Sequence, residues 1–394
     1  MIRHLFTLIW NRRRANLLLI TEIFLAFVVL FVVGSLLVYN QRNYRTPLGF
    51  AYEQVWRVHL DPGALPQAGR LATVRQVMAR LRAMPEVVAV GRTSSNTPFS
   101  GSTNGTDVGV GKEGKGAVNA SGFFVEDDLR EVFQLPLTAG RWFDKRDDAA
   151  SIPPAVLTRE IAEQLFPQQS ALGQVVGRGG EEYRVVGLIE RFRSDGDLAA
   201  SRPAILLRVS PQDTAWGEAS AMLLRVRPGA GAQLERQMNT EILAIAKGWN
   251  VGITALTEQR AAQLKRTLVP IGALVLVCVF LVINVALGLF GVLWQTIQQR
   301  RGEIGLRRAI GASAGNISGQ IVSEILVVTT FGLVLGLLVA AQFPLLNAFD
   351  VGAGVYATAM LVASGLIYGL TTVCALYPSR LAAAIHPAAA LREE

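Results

Sequence analysis

QTIQQRRGEIGLRRAIGASAGN, residues 295–316, is a short basic segment held between two long apolar runs, 268–294 and 317–343. Crossing a bilayer takes about 20 apolar residues, and each flanking run is long enough. The segment must therefore lie at a membrane surface. Arg300, Arg301, Arg307 and Arg308 against Glu303 alone make the cytoplasmic surface the expected one. Working outward, two more runs qualify as spans, 17–38 and 355–377. Arg3, Arg12, Arg13 and Arg14 precede the first without an acid, whereas 344–354 has no Lys or Arg and contains Asp350. Both termini are expected inside and residues 39–267 outside. Trp294 and Tyr377 at inner ends, with Tyr39 and Tyr356 at outer ends, agree with that placement.

The fold class expected is an α+β membrane protein. Four transmembrane helices carry a large extracytoplasmic α/β domain inserted between the first and second. In order these are a cytoplasmic segment 1–16, a span 17–38, the exported domain 39–267 and a span 268–294. A cytoplasmic segment 295–316, spans 317–343 and 355–377, and a tail 378–394 follow. The run at 17–38 is longer than the apolar core of a secretory signal and lacks a small-residue cleavage site, so it reads as a retained anchor.

Composition supports a membrane protein. Of 394 residues 51% are hydrophobic and only 17% charged, too apolar a balance for an ordinary soluble enzyme. The 38 Lys and Arg exceed the 30 Asp and Glu, and the basic clusters at the ends of the apolar runs, Arg12–Arg14 and Arg300, Arg301, Arg307 and Arg308, are placed where they set topology. No recognition motif accompanies them, so no nucleic-acid partner is expected. Cys278 and Cys374 both fall inside apolar runs, leaving the exported domain without a disulfide.

The exported domain reads as two similar halves around an insertion. Residues 54–60 read as a strand, Leu71, Val74, Met78 and Leu81 recur at helical spacing, and 86–90 read as a strand. The order returns at 221–226, at Leu234, Met238, Ile242 and Ile245, and at 250–256. Two such βαβ units are expected to pair into one α/β sandwich. Between them lies a strand-rich subdomain. Its Gly-, Ser- and Thr-rich start, 100–116, reads as a mobile loop, and 177–191 as a hairpin turning at GRGGEE. Residues 259–266 read as a polar helix that, if continuous with the second span, would make a stiff stalk.

Four motifs carry candidate chemistry. GVGKEGKG at 109–116 has phosphate-loop spacing, but Gly116 stands where Ser or Thr must hold magnesium, so a surface loop is the better reading. The acidic clusters Glu126, Asp127, Asp128 and Asp144, Asp147, Asp148 lack a histidine or metal-ligand pattern and read as solvated turns and helix caps. His4, His59 and His386 are isolated. No catalytic, metal or cofactor site is expected in this chain. Inside the spans stand Glu22, Asn284 and Glu324, too few for a hydrophilic channel. Glu22 and Asn284 are candidates for contacts between helices or between two copies.

The fourth motif is the opening segment. At about 100° per residue, its four arginines fall on one half of a helix and Leu306, Ala309 and Ile310 on the other. Glu303 precedes Arg307 by four residues, the favourable order for a helical ion pair. Gly311 is placed to end that helix and Ser313 to cap the next. A topology-setting loop explains the charge but not the ordered helix with its stop signal. Docking of a cytosolic protein explains both.

RRGEIGLRRAIGAS, at 300–313, closely resembles the signature of permeases in the MacB/FtsX-type family of ABC transporters. YPSRLAAAIHPAAALREE, with Pro378, Arg380, Pro387, Leu391 and Arg392, resembles the family's ending. GRWFDKRDD, AVLTREIAEQLFP, ALGQVVG and YRVVGLI resemble blocks of the MacB-type periplasmic core. The resemblance implies a dimer in the bacterial inner membrane, each permease bound by a cytosolic ATPase between the second and third spans. It makes Arg301, Glu303, Ile304, Arg307, Arg308, Ile310 and Gly311 the coupling element. ATP and magnesium would be bound in that ATPase, here a separate polypeptide, and its closure passed along stalk helices to the periplasmic domains. Export or efflux with a periplasmic adaptor is the expected role. A peptide-sensing or wall-hydrolase-activating complex, a lipoprotein-releasing permease and an ion-coupled transporter are the alternatives.

Overall fold

In a computed structural model, residues 13–63, 69–209 and 220–383 are described. Arg3, Arg12, His4, His386, Pro387, Leu391 and Arg392 lie outside the described residues. The chain divides into two units, one holding Asn43–Leu268 and the other the segments on either side.

Helix α1 spans Arg13–Tyr44. Strand β1 (Val55–Asp61), helix α2 (Arg70–Arg82) and strand β2 (Val87–Thr93) form a first βαβ unit. The chain then makes β3 (Gly105–Val110), β4 (Lys115–Val125), α3 (Leu129–Phe133), β5 (Leu137–Gly140), β6 (Pro154–Thr158) and α4 (Arg159–Leu165). It continues through β7 (Val175–Arg178), β8 (Glu181–Ile189) and β9 (Ala204–Arg208). A second βαβ unit follows in β10 (Ala221–Val226), α5 (Ala232–Ile245) and β11 (Asn250–Ala255).

The two βαβ units interleave. Their strand order is β11-β1-β10-β2, every neighbour antiparallel, which is a ferredoxin-like sheet. One face buries Trp56, Val58, Leu60 and Leu224 under Val74, Met78 and Leu81 of α2 and Leu234, Met238 and Ile242 of α5. Each buried aliphatic side chain contributes about 1.5–3 kcal/mol, so this layer is a main source of the unit's stability.

The insertion closes on itself. Its strands run β4-β3-β7-β8-β6-β9, and β9 returns to β4 by parallel pairing of Ala204–Arg208 with residues 121–125. The result is a six-stranded barrel filled by Val108, Ala120, Leu157, Val176, Val185, Ile205 and Leu207, with Ile161 and Leu165 of α4. Closure removes the exposed edges that an open insertion would carry. The expected loop at 100–116 is corrected here. Residues 105–110 and 115–116 are paired strand, because β4 and β7 satisfy a backbone whose small polar side chains look loop-like. The GVGKEGKG stretch is thus a strand–turn–strand hairpin with positive φ at Gly111 and Gly114, and it opens no helix that could receive a phosphate. Gly179 and Gly180 turn β7 into β8 with φ of 59° and 88°, the primed turn a two-residue hairpin favours.

Helix α6 runs unbroken over Leu256–Gln299, with Pro270 inside it. Then come α7 (Arg301–Ala309), α8 (Ala314–Ala340), the short α9 (Gln342–Leu345) and α10 (Ala353–Ala383). Four described helices, Leu17–Tyr44, Leu256–Gln299, Ala314–Leu345 and Ala353–Ala382, are long and apolar enough to cross a membrane. Leu19, Ile23, Phe27 and Phe31 of α1 pack with Val285 and Leu289 of α6, Ile325 and Val328 of α8 and Ala359 and Ile367 of α10. Gly332 and Gly336 let α1 approach α8: a Cβ at either would fall within 2.8 Å of Ile23 or Phe27.

Candidate coupling site

Arg300 breaks the register between α6 and α7 with φ −104° and ψ 12°. The far end of α7 is closed by Gly311 at φ 103°. The Gly311 amide donates to the Arg308 carbonyl at 3.1 Å and the Ala312 amide to the Arg307 carbonyl at 3.0 Å, a Schellman motif. Ser313 then caps α8, its Oγ accepting from the Asn316 amide at 3.2 Å. The element is thus one short helix with a stop at each end.

Polar side chains fasten it to α8. Arg307 donates to Glu303 Oε1 at 2.6 Å and to Gln320 Oε1 at 2.7 Å. Arg300 donates to Glu324 Oε2 at 2.7 Å and lies 3.4 Å from Glu303 Oε2, while Gln320 donates to Glu324 Oε1 at 2.9 Å. Five side chains, from α7, the Arg300 junction before it and α8, form a continuous network. Beneath it Ile304 packs with Ile297 of α6, Ile317 of α8 and Ala382 of α10. The network above and the Ile304 contact below fasten α7 to α8.

The apolar half read from the sequence does not pack inside the chain. Ile304 and Gly305 are buried, whereas Leu306 is 51% and Ile310 78% exposed. Arg301 and Arg308 are half-buried. Of the expected set, Glu303 and Arg307 meet directly, Ile304 anchors the helix, Gly311 ends it and Ile310 faces outward. Arg300, Gln320 and Glu324 complete the network and were not part of that set. The readable signal was Glu324 itself, since an acid in an apolar span needs a partner.

The other two candidates differ. Glu22 lies against α6, its Oε1 only 2.5 Å from where a Cβ of Gly288 would stand, so it is an interhelical contact. Asn284 donates to the Phe280 carbonyl of its own helix at 2.8 Å and lies exposed. The acidic clusters are ion-pair partners rather than freely solvated turns. Glu126 takes Arg92, Asp127 and Asp148 take Arg208, Asp128 takes Arg82, and Asp147 takes Arg141. Hydrogen bonding to Asp127 and Asp148 pushes the Arg208 pKa above its ordinary value. Only Asp144 acts as a cap, in a capping box over Lys145–Ala149.

The model of the MacB-like periplasmic core domain matches residues 18–241, and that of the FtsX-like permease C-terminal region matches 274–387. The chain belongs to the MacB/FtsX-type permease family. This permease is 28% identical to a macrolide export ATP-binding/permease protein MacB of Paracoccus denitrificans, over 56% of its own length and 34% of the relative's. A second such protein, from Aeromonas hydrophila, is 26% identical over 79% of the permease and 46% of the relative. The pyoverdine export ATP-binding/permease protein PvdT of Pseudomonas aeruginosa is 23% identical over 68% and 41%. The permease therefore spans between a third and a half of the length of these relatives. The crystallised periplasmic region of MacB from Actinobacillus actinomycetemcomitans aligns with a TM-score of 0.38 at 14% identity, covering 58% of the permease and 95% of that chain. The two matched family models, with the four long apolar helices, make the permease a membrane protein whose MacB-like periplasmic core domain lies between its first two spans.

Proposed function

We propose that this chain is a non-catalytic permease subunit that couples ATP hydrolysis by a separate cytosolic ATPase to motion of its periplasmic domain, driving export of a substrate yet to be identified. The ATPase, which would hold ATP and magnesium, docks on residues 301–311 in the inner membrane's cytoplasmic face. Arg301, Glu303, Ile304, Arg307, Arg308, Ile310 and Gly311 form the dock. The permease acts as a dimer, with both termini in the cytoplasm, and works with a periplasmic adaptor. The observation that carries this reading is α7: clamped to α8 on one side, it presents Leu306 and Ile310 to solvent on the other. The relatives' names join ATP binding to permeation, and this chain matches less than half of each.

Replacing Glu303 and Arg307 together by alanine tests it. That exposed i,i+4 pair contributes only about 0.3–0.5 kcal/mol to folding, so membrane insertion should survive. The double variant is expected to lose co-purification of the ATPase, or its stimulation in proteoliposomes. Unchanged stimulated ATPase activity would sink the assignment.

A further inference from the structure

Residues 191–203, RFRSDGDLAASRP, join β8 to β9 and so belong to the barrel. Phe192 roots the segment. It is 3% exposed, with its ring 5.0 Å from those of Phe50 and Phe123 and 5.6 Å from that of Phe133. From this root the segment reaches in two directions.

One direction is the end of α1. Asn43, in its last turn, donates to the Leu198 carbonyl at 3.0 Å. Arg193, 2% exposed, donates to the Thr46 carbonyl, to that of Asp197 at 3.0 Å and to that of Ala199 at 2.7 Å. Its amide donates to the Leu48 carbonyl at 3.0 Å. The other direction is the start of α6. Arg260 forms a two-pronged ion pair with Asp197 at 2.8 and 2.9 Å, and its guanidinium stands 4.9 Å over the Tyr52 ring. Gln263 donates to the Asp195 carbonyl at 2.7 Å. Gln263 also closes over Gly196, where φ is 94° and a Cβ would fall 2.3 Å from its Oε1.

One barrel loop thus grips both helices that lead toward the membrane. Asp197 is only 8% exposed, so a shift of α6 that opened the fork would strand a buried carboxylate. Close-packed interiors resist deformation and pass strain on, and the root at Phe192 is such an interior. We propose that residues 193–197 are a clasp through which movement of α6 against α1 is delivered to the barrel, with Arg260 and Asp197 as its positioning pair. The clasp rests on the coupling reading above. It adds that the barrel, through β8 and β9, is the part of the periplasmic domain that the helices drive.

The test uses the full chain in lipid nanodiscs with its ATPase, comparing amide exchange without nucleotide and with ATP plus vanadate. Wild type is expected to show a nucleotide-dependent difference at 256–268 in α6 and at 183–208. Arg260→Gln should abolish the difference at 183–208 and keep it at 256–268. Arg260→Lys retains the charge but not the fork; it should also reduce the difference while β1 and β10 stay protected, which separates lost transmission from lost folding. Arg80→Gln breaks another forked pair, to Glu241 between α2 and α5, and should leave both differences intact. A full difference at 183–208 in Arg260→Gln, or equal loss in Arg80→Gln, overturns the clasp. A wild type that responds in α6 but not at 183–208 overturns the clasp alone. A wild type without any response in α6 overturns the coupling reading itself.

Discussion

Gly311 holds φ at 103°, a region that costs a residue with a Cβ about 1–2 kcal/mol. Gly311→Ala should therefore loosen the stop of α7. The amides of Gly311 and Ala312, bonded to Arg308 and Arg307, are expected to exchange several-fold faster, since about 1.4 kcal/mol is a tenfold change. Asp147 supplies a pH dependence. Hydrogen bonding to Arg141 holds its carboxyl below the ordinary value, so the folded form favours the carboxylate. A depressed pKa stabilises above the unfolded value of about 3.9 and loses that contribution as pH falls through the folded value. Thermal melts of wild type should decline as pH drops below about 4, and Asp147→Asn should flatten that decline. At this scale the Glu303–Arg307 pair was legible because it is local, four residues apart on one helix. Arg300–Glu324 and Arg208–Asp127 were not, because nothing in spacing records a partner 24 or 81 residues away.

Among elements, the helices were the more legible. Helix α6 keeps one continuous polar-then-apolar pattern, and it runs from the 259–266 stretch into the second span without a break. Strand β3 and the first residues of β4 were harder, since Gly105, Thr106, Gly109 and Gly116 resemble a loop until pairing between the two strands and with β7 supplies hydrogen bonds. The α1–α8 contact depends on absent side chains. At Gly336 a Cβ would sit 2.3 Å from the Phe27 ring, so larger residues must push the helices apart. Gly336→Leu should overpack this seam by about 1–3 kcal/mol and lower the melting temperature of the detergent-solubilised chain. Wild-type melting in that variant would show that the two helices do not depend on this approach.

Across the Asn43–Leu268 unit, barrel and ferredoxin-like sheet share one apolar cluster. Phe123 of β4, Val55 of β1, Leu223 of β10 and Phe192 of the β8–β9 segment all lie in it. Phe192→Ala should cost about 3–5 kcal/mol, and proteolysis should report sheet and barrel loosening together. Survival of the sheet with the barrel alone digested would mean that the two fold separately. Apolar run length, arginine placement and periods of two and 3.6 are local properties, so the amino-acid order by itself determined the spans, the α7 stop and the strands and helices of each βαβ unit. Interleaving of the two βαβ units, closure of β9 onto β4 and the pairing of Arg300 with Glu324 and of Arg208 with Asp127 were decided only by the tertiary structure. These unite residues tens to more than a hundred positions apart, and what selects them is shared burial and complementary charge in space.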